Sequence, residues 1–317
     1  MRVGDLDETA LLARVIPRLP TQALLGPGDD AAVVAAPDGR VVATTDMLVE
    51  FRDFRRDWST GADVGWKAAA QNLADVAAMG ATCTGLLVSL GLPPTLDVSW
   101  VDSFATGLGE ACRHFGAVVV GGDLSGASEI VVAVTALGDL AGRSPLRRSG
   151  ACPGDVVAVA GVLGGSAAGL DLLRENRFDG PSDLLAAHRR PRPPLAAGPV
   201  AALAGASALM DVSDGLLRDG ARIAVASGVS LALRTDATVL GSWAAALAVA
   251  TGASAVTAQG WVLTGGEDHA LLGCFPPELE LPAAFAAIGT VRASGRDAVT
   301  VDGTRWAGPG VGWDHFG

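Results

Sequence analysis

Residues 64–92 read Val64-Gly65-Trp66-Lys67-Ala68-Ala69-Ala70-Gln71-Asn72-Leu73-Ala74-Asp75-Val76-Ala77-Ala78-Met79-Gly80-Ala81-Thr82-Cys83-Thr84-Gly85-Leu86-Leu87-Val88-Ser89-Leu90-Gly91-Leu92. The Ala-rich stretch Val64 to Met79 predicts a long helix ended by Gly80. Leu86 to Leu90 predicts a strand ended by Gly91-Leu92-Pro93-Pro94. The same alternation recurs on both sides. Upstream, Leu6 to Leu19 has the period of an amphipathic helix, followed by a glycine turn at Gly26-Pro27-Gly28 and strands at Ala31 to Ala36 and Val41 to Thr45. Downstream lie a helix at Val101 to Phe115 and strands at Val118 to Val120 and Ile130 to Leu137. Alternating strands and helices indicate an α/β or α+β class. The polar, turn-rich run Arg147 to Asp155 then marks a junction, dividing the chain into domains 1–142 and 143–317. In the second domain we expect strands at Val156 to Ala160, Ala208 to Met210 and Trp261 to Leu263, and helices at Ser166 to Arg174 and Leu216 to Ser227.

Composition narrows the chemistry. Half of the 317 residues are apolar, enough for a sizeable core. The Ala-rich stretch Trp243 to Ala258 is shorter than a bilayer span and reads as buried helix, so no membrane association is expected. The start Met1 to Glu8 lacks the basic and apolar runs of a secretory signal, which leaves the cytoplasm as the expected location. Cys83, Cys112, Cys152 and Cys274 form no CxxC pair and are expected as reduced thiols in or near the core; the four histidines show no HExxH spacing. A formal charge of −11 without a basic block argues against nucleic acid as a partner. Lys67 is the sole lysine and there is no GxxxxGK[ST] segment, so neither a P-loop nor a protein-kinase design is available. Any phosphate chemistry must rest on metals, arginine and backbone N–H groups.

The acidic residues sit at informative places. Asp46, Asp123, Asp211 and Asp214 follow short apolar runs, Glu267 and Asp268 follow Leu263-Thr264-Gly265-Gly266, and Asp29-Asp30 precedes its expected strand. Strand ends are where α/β proteins build sites. Taken singly, each of these reads equally well as a turn or helix-cap residue. Asp75 is different, because it shares the one polar face of an apolar helix with Gln71 and Asn72, where a carboxylate is costly unless paired or bound to metal. Carboxylates with the hydroxyls of Thr44, Thr45 and Ser213 suit Mg2+. Without metal such a pocket would repel phosphate, since two unit charges about 5 Å apart cost roughly 3 kcal/mol at an effective dielectric of 20.

Gly26-Pro27-Gly28-Asp29-Asp30, Thr45-Asp46-Met47-Leu48-Val49-Glu50, Asn72 to Ala81, Gly121-Gly122-Asp123, Arg148-Ser149-Gly150-Ala151, Asp211-Val212-Ser213-Asp214-Gly215-Leu216, Gly265-Gly266-Glu267-Asp268 and Gly312-Trp313-Asp314-His315-Phe316 stand in one order along the chain. In that order they resemble the signatures of the thiamine-monophosphate kinase family, within the aminoimidazole ribonucleotide synthetase-like superfamily. The Asn72 to Ala81 segment is the most specific of them. The resemblance implies that superfamily's two-domain fold, with amino-terminal sheets pairing in a homodimer. It implies that the first domain binds ATP and Mg2+ and that the second completes the nucleotide and substrate site. The implied reaction is ATP-dependent phosphorylation of thiamine monophosphate to thiamine diphosphate.

Carried over by motif, Asp30, Thr44, Thr45, Asp46, Asp75, Asp123, Asp211 and Asp214 would hold several Mg2+ ions. Gly121, Gly122, Arg148 and Ser213 would contact ATP, and Glu267 and Trp313 the acceptor. Trp313 reads alternatively as a tail residue packed on the core. Two departures stand out. Phe51-Arg52-Asp53-Phe54 replaces the family's usual Gly-x-His-Phe, putting Asp53 where a substrate-contacting histidine is expected. Leu124-Ser125-Gly126 replaces Thr-Thr-Arg, leaving Arg52 as a candidate for the lost basic phosphate contact. The competing readings are an ATP- and Mg2+-dependent relative with another acceptor, and a catalytically weak nucleotide-binding scaffold.

Overall fold

The computed structural model describes residues 1–21, 34–236, 238–310 and 312. In chain order the elements are α1 (Glu8–Val15), β1 (Val42–Val49), α2 (Gly61–Ala78), β2 (Thr82–Leu92), α3 (Val98–Phe115), β3 (Val119–Gly126), β4 (Val131–Asp139), β5 (Val156–Ala160), α4 (Gly165–Arg174), α5 (Ser182–Arg189), α6 (Ala197–Leu203), β6 (Ala208–Val212), α7 (Leu216–Ser227), β7 (Val229–Leu233), α8 (Val239–Thr251), α9 (Ala255–Thr264), β8 (Ala270–Phe275), β9 (Phe285–Ala293) and β10 (Val299–Val301). Two compact units result. One comprises Met1–Val76 and Ala81–Gly142, the other Ala77–Gly80 and Arg143–Gly317. The mixed α/β class agrees with the alternation read from the sequence.

The first unit is built on a four-stranded sheet in the order β1-β4-β2-β3, among the described residues. β4 runs antiparallel to β1 and β2, and β3 runs parallel to β2. Side chains alternate across a strand. On β4, Val132, Val134 and Ala136 are buried, and Gly138 packs against Val76 of α2. The intervening positions face away from that helix. Thr45 and Met47 on β1 stand on that open side, and Met47 is 57% exposed.

The second unit holds a six-stranded sheet in the order β10-β7-β9-β5-β8-β6. Its neighbouring strands β5 and β8 are apolar throughout, as strands covered on both faces require. Val157, Val159, Met210, Val212, Leu272 and Cys274 join Leu216 and Ile223 of α7 and Val262 of α9 in one core.

Several boundaries differ from expectation. β1, β3 and β6 run on through Asp46, Asp123 and Asp211, which therefore lie inside strands rather than just after them. Asp46 pairs with Val134 and Asp211 with Leu271, so tertiary ladder bonds override the local preference of Asp and Gly for turns. The expected strand Trp261 to Leu263 is part of α9. The Ser254 hydroxyl oxygen accepts the Thr257 N–H at 3.1 Å and starts that helix. Val34 to Ala36 form no strand, and the rest of the Ala31 to Ala36 expectation, with Gly26 to Asp30, lies outside the described residues. Cys112 and Cys274 are buried, and burial pushes both thiols up to about 12. Cys152, expected in or near the core, is exposed in the loop before β5. No helix among the described residues is long and apolar enough to cross a membrane.

Candidate active site

Thr44 and Asp46 lie two residues apart on β1 and share a face, as do Asn72 and Asp75 three apart on α2. The two faces meet. Thr44 Oγ1 donates to Asp75 Oδ2 at 2.9 Å, and the Asp46 N–H donates to Asn72 Oδ1 at 3.1 Å. Asn72 is fully buried and its Nδ2 donates to Ala68 O at 2.9 Å, which sets the orientation of its amide. The result is a half-buried seam of two carboxylates, a hydroxyl and an amide oxygen. All are hard oxygen donors of the kind Mg2+ takes. The residues present thus fit such an ion in chemical type.

Other predicted ligands are placed elsewhere. The Thr45 hydroxyl donates to Val134 O at 3.0 Å and meets Thr135 Oγ1 at 3.1 Å on the opposite side of β1. Asp123 shares a cross-strand row with Ser89, Ala133 and Met47, whereas Asp46 shares one with Val134, Val88 and Gly122. Adjacent rows face opposite ways, so Asp123 stands on the other face and the other edge of the sheet from Asp46. Among the described residues no three acidic, His or Cys side chains form a metal cluster. Asp30 lies outside the described residues. Gly122 has a packing reason of its own, since a Cβ there would fall 2.0 Å from Val88 O; one at Gly121 would fall 3.0 Å from Leu87 Cδ2. Asp53 Oδ2 accepts the Val49 N–H at 2.8 Å and braces the turn that leaves β1.

In the second unit the antiparallel pairing of β6 with β8 sets two of the sequence motifs side by side. Asp211 is buried, with Oδ2 3.5 Å from His269 Nδ1. Ser213 O accepts the Glu267 N–H at 2.8 Å, and a Cβ at Gly266 would fall 2.5 Å from that same oxygen. The Asp214 carboxylate is held by Arg222, whose Nη2 lies 2.5 Å from Oδ2, with Arg218 Nε at 3.9 Å. That oxygen is thus paired with arginine. Gly312, one residue before Trp313, packs against Asp214 and Arg218; Trp313 itself lies outside the described residues.

Beside Glu267 a cavity of about 320 Å3 opens, lined among others by Ser166, His188, Trp261, Thr264 and Gly310. Trp261 Nε1 donates to Asp171 Oδ2 at 2.8 Å, fixing the indole as a wall, and Ser166 Oγ lies 3.2 Å from His188 Nδ1. Asp268, next to Glu267, accepts the N–H groups of Gly164 at 2.6 Å and Ser166 at 2.8 Å, at the start of α4. Burial pushes this carboxyl up to about 7 against the pull of those two donors. Arg148 sits apart from Ser213. Its carbonyl accepts the Ser227 hydroxyl at 3.0 Å at the far end of α7, roughly 18 Å of helix from Ser213.

Sequence reasoning missed Asp219, Arg222, Ser166 and His188. A signal existed for Asp219: it falls in the apolar stripe Leu216, Gly220, Ile223, Ala224 of α7, where a carboxylate needs a reason. No such signal marks Ser166 or His188, which only tertiary packing brings together.

A family model described as AIR synthase related protein, N-terminal domain, matches residues 28–140. Over 315 residues the chain is 47% identical to thiamine-monophosphate kinase of Mycobacterium tuberculosis strain H37Rv, covering 99% of this chain and 92% of that relative. The chain belongs to the thiamine-monophosphate kinase family. The family likeness runs through both units and takes in the second-unit motifs that the amino-terminal model does not reach. A solved structure of AaThiL complexed with AMPPCP and TMP superposes with a TM-score of 0.79 at 33% identity, covering 100% of this chain and 99% of that one. Hydrogenase maturation protein HypE in complex with ATP superposes with a TM-score of 0.72 at 18% identity, with 93% of this chain and 90% of that one covered, and shares the fold.

Proposed function

We propose that this chain transfers the terminal phosphate of ATP to the phosphate of thiamine monophosphate, giving ADP and thiamine diphosphate. The observation that carries this reading is the end-to-end likeness, 47% over 99% of the chain, to a named thiamine-monophosphate kinase. The relative of similar fold bound to AMPPCP and TMP supports the same pair of substrates. The chemistry of the residues is compatible. The acceptor phosphate is already an anion near neutral pH, so no general base is required, and catalysis rests on positioning and charge cancellation. Bound Mg2+ would supply that cancellation, with Asp46, Asp75 and the Thr44 hydroxyl as the ligands the geometry favours, joined by Asp30. Thr45, Asp123, Asp211 and Asp214 remain further candidates from the motifs.

In this reading Asn72 holds the β1 main chain at Asp46, and the Thr44 hydroxyl orients the Asp75 carboxylate. Gly121, Gly122, Ser213 and Arg148 are the proposed ATP contacts. On the acceptor side, the cavity beside Glu267, about 320 Å3, is of small-molecule size and offers an indole wall at Trp261. Glu267 would meet the polar edge or positive charge of thiamine, with Trp313 stacking on its rings. Asp53 stands near the end of β1 as the departure to be tested. The amino-terminal domain, residues 1–142, is the proposed Mg2+ and ATP domain. Its open sheet face, bearing the exposed Met47, is the surface on which two copies would pair.

The test is phosphate transfer from labelled ATP to thiamine monophosphate, with and without Mg2+, resolving thiamine diphosphate directly. Magnesium-dependent thiamine diphosphate is the expected product. ATP binding without it would overturn the acceptor assignment and leave the nucleotide reading standing.

A further inference from the structure

Asp219 belongs to none of the motifs that single out this site, yet it is fully buried in the first turn of α7. Its Oδ2 accepts two main-chain donors, the N–H of Asp214 at 2.9 Å and of Gly215 at 3.1 Å. Its Oδ1 accepts Arg222 Nη1 at 2.5 Å, and the other terminal nitrogen of the same guanidinium, Nη2, donates to Asp214 Oδ2 at 2.5 Å. The four contacts close a ring in which one buried carboxylate grips the Asp214 loop by its backbone and, through Arg222, by its side chain. Charge-assisted bonds to a fixed guanidinium fork are the strong, directional kind. From the other side, Glu267 N–H holds Ser213 O at 2.8 Å. The loop 213–215 is thus pinned between Asp219 below and the Gly265–Glu267 segment alongside.

We propose that Asp219, acting with Arg222, is a positioning residue for phosphoryl transfer: it sets the place of Ser213 and Asp214 without itself touching substrate. The inference rests on the reading under Proposed function for its kinetic arm, and on geometry alone for its structural arm. Misplacement of a positioning loop lowers turnover more than ground-state binding, because the interactions lost are those made in the transition state. The one Arg222 guanidinium is shared between the Asp214 and Asp219 carboxylates.

Asp219→Asn keeps the shape and removes the charge, while Arg222→Gln breaks the ring from its half-exposed side. Each is compared with wild type by thermal unfolding, by kcat and KM for ATP, and by amide hydrogen exchange across 213–216. Both variants are expected to lose about tenfold or more in kcat with KM for ATP within about threefold. Exchange of the Asp214 and Gly215 amides should rise about tenfold or more. The double variant should be no worse than the poorer single one, because the pair acts as a unit. Unchanged kcat in a folded variant, unchanged exchange, or additive losses in the double variant would each overturn the proposal. If Asp219→Asn does not fold, Arg222→Gln carries the same comparisons. A wild type inactive on thiamine monophosphate sinks the functional reading, and the exchange arm then still decides whether the clamp exists.

Discussion

Asp75→Asn should separate chemistry from folding. An Asn Oδ1 can still accept the Thr44 hydroxyl, whose donor now lies 2.9 Å from Asp75 Oδ2, so the α2–β1 seam keeps its bond and loses only charge. The unfolding free energy from denaturant titration is expected within about 1 kcal/mol of wild type, as for a substitution that preserves its hydrogen bond. Turnover should fall on the order of 100-fold, and activity retained in excess Mg2+ would remove Asp75 from the site. Asp268 offers a pH test with a definite sign. Its folded-state value near 7 lies above the usual unfolded carboxylate value of about 3.9. The protonated form is therefore favoured by the fold, and the stability it contributes is present below about pH 4 and lost as pH rises through 7. Asp268→Asn, which imitates the protonated form, should show its largest deficit against wild type at pH 5 and a smaller one at pH 8 in urea unfolding. A deficit that grows with pH would mean that the Gly164 and Ser166 donors outweigh burial.

The elements show what local pattern can and cannot reveal. α7 and β5 were legible to the residue, because each has a clean period and a punctuating glycine or turn beside it. β1, β3 and β6 were legible as strands, but their ends were not. Asp46, Asp123 and Asp211 look like terminators in one dimension and are ladder residues in three. α9 was misread because Trp261-Val262-Leu263 has strand composition, while its start depends on Ser254 seven residues earlier. That cap gives a direct check. Ser254→Ala removes the acceptor for Thr257 N–H and should cost about 1 kcal/mol of stability by chemical denaturation. No change would mean that packing of α9 alone holds the cavity wall.

For the assembled molecule the prediction concerns the open face of the first sheet. Met47 is 57% exposed beside Thr45 and the outward residues of β4, an apolar position on a sheet face left open among the described residues. If two copies pair there, each Met47 counts twice by symmetry, and Met47→Asp should weaken association by about tenfold or more. Sedimentation at micromolar concentration is expected to show a dimer for wild type and a shift toward monomer for the variant. A monomeric wild type would remove the sheet-pairing proposal.

Much was legible in residue order alone: the α/β class, the sole lysine at Lys67, and the polar face of Asn72 and Asp75. These depend on neighbours within a turn or two, where period and spacing suffice. Which acidic residues meet was not decided there. That Thr44 reaches Asp75 while Asp123 faces the other way follows from strand order and register. That Asp214 is held by Arg222 follows from the Arg222 side chain reaching back along α7 to the loop that precedes the helix. Register is set by the burial of whole sheets, a long-range property, and a shift of one residue would send every one of these side chains to the opposite face.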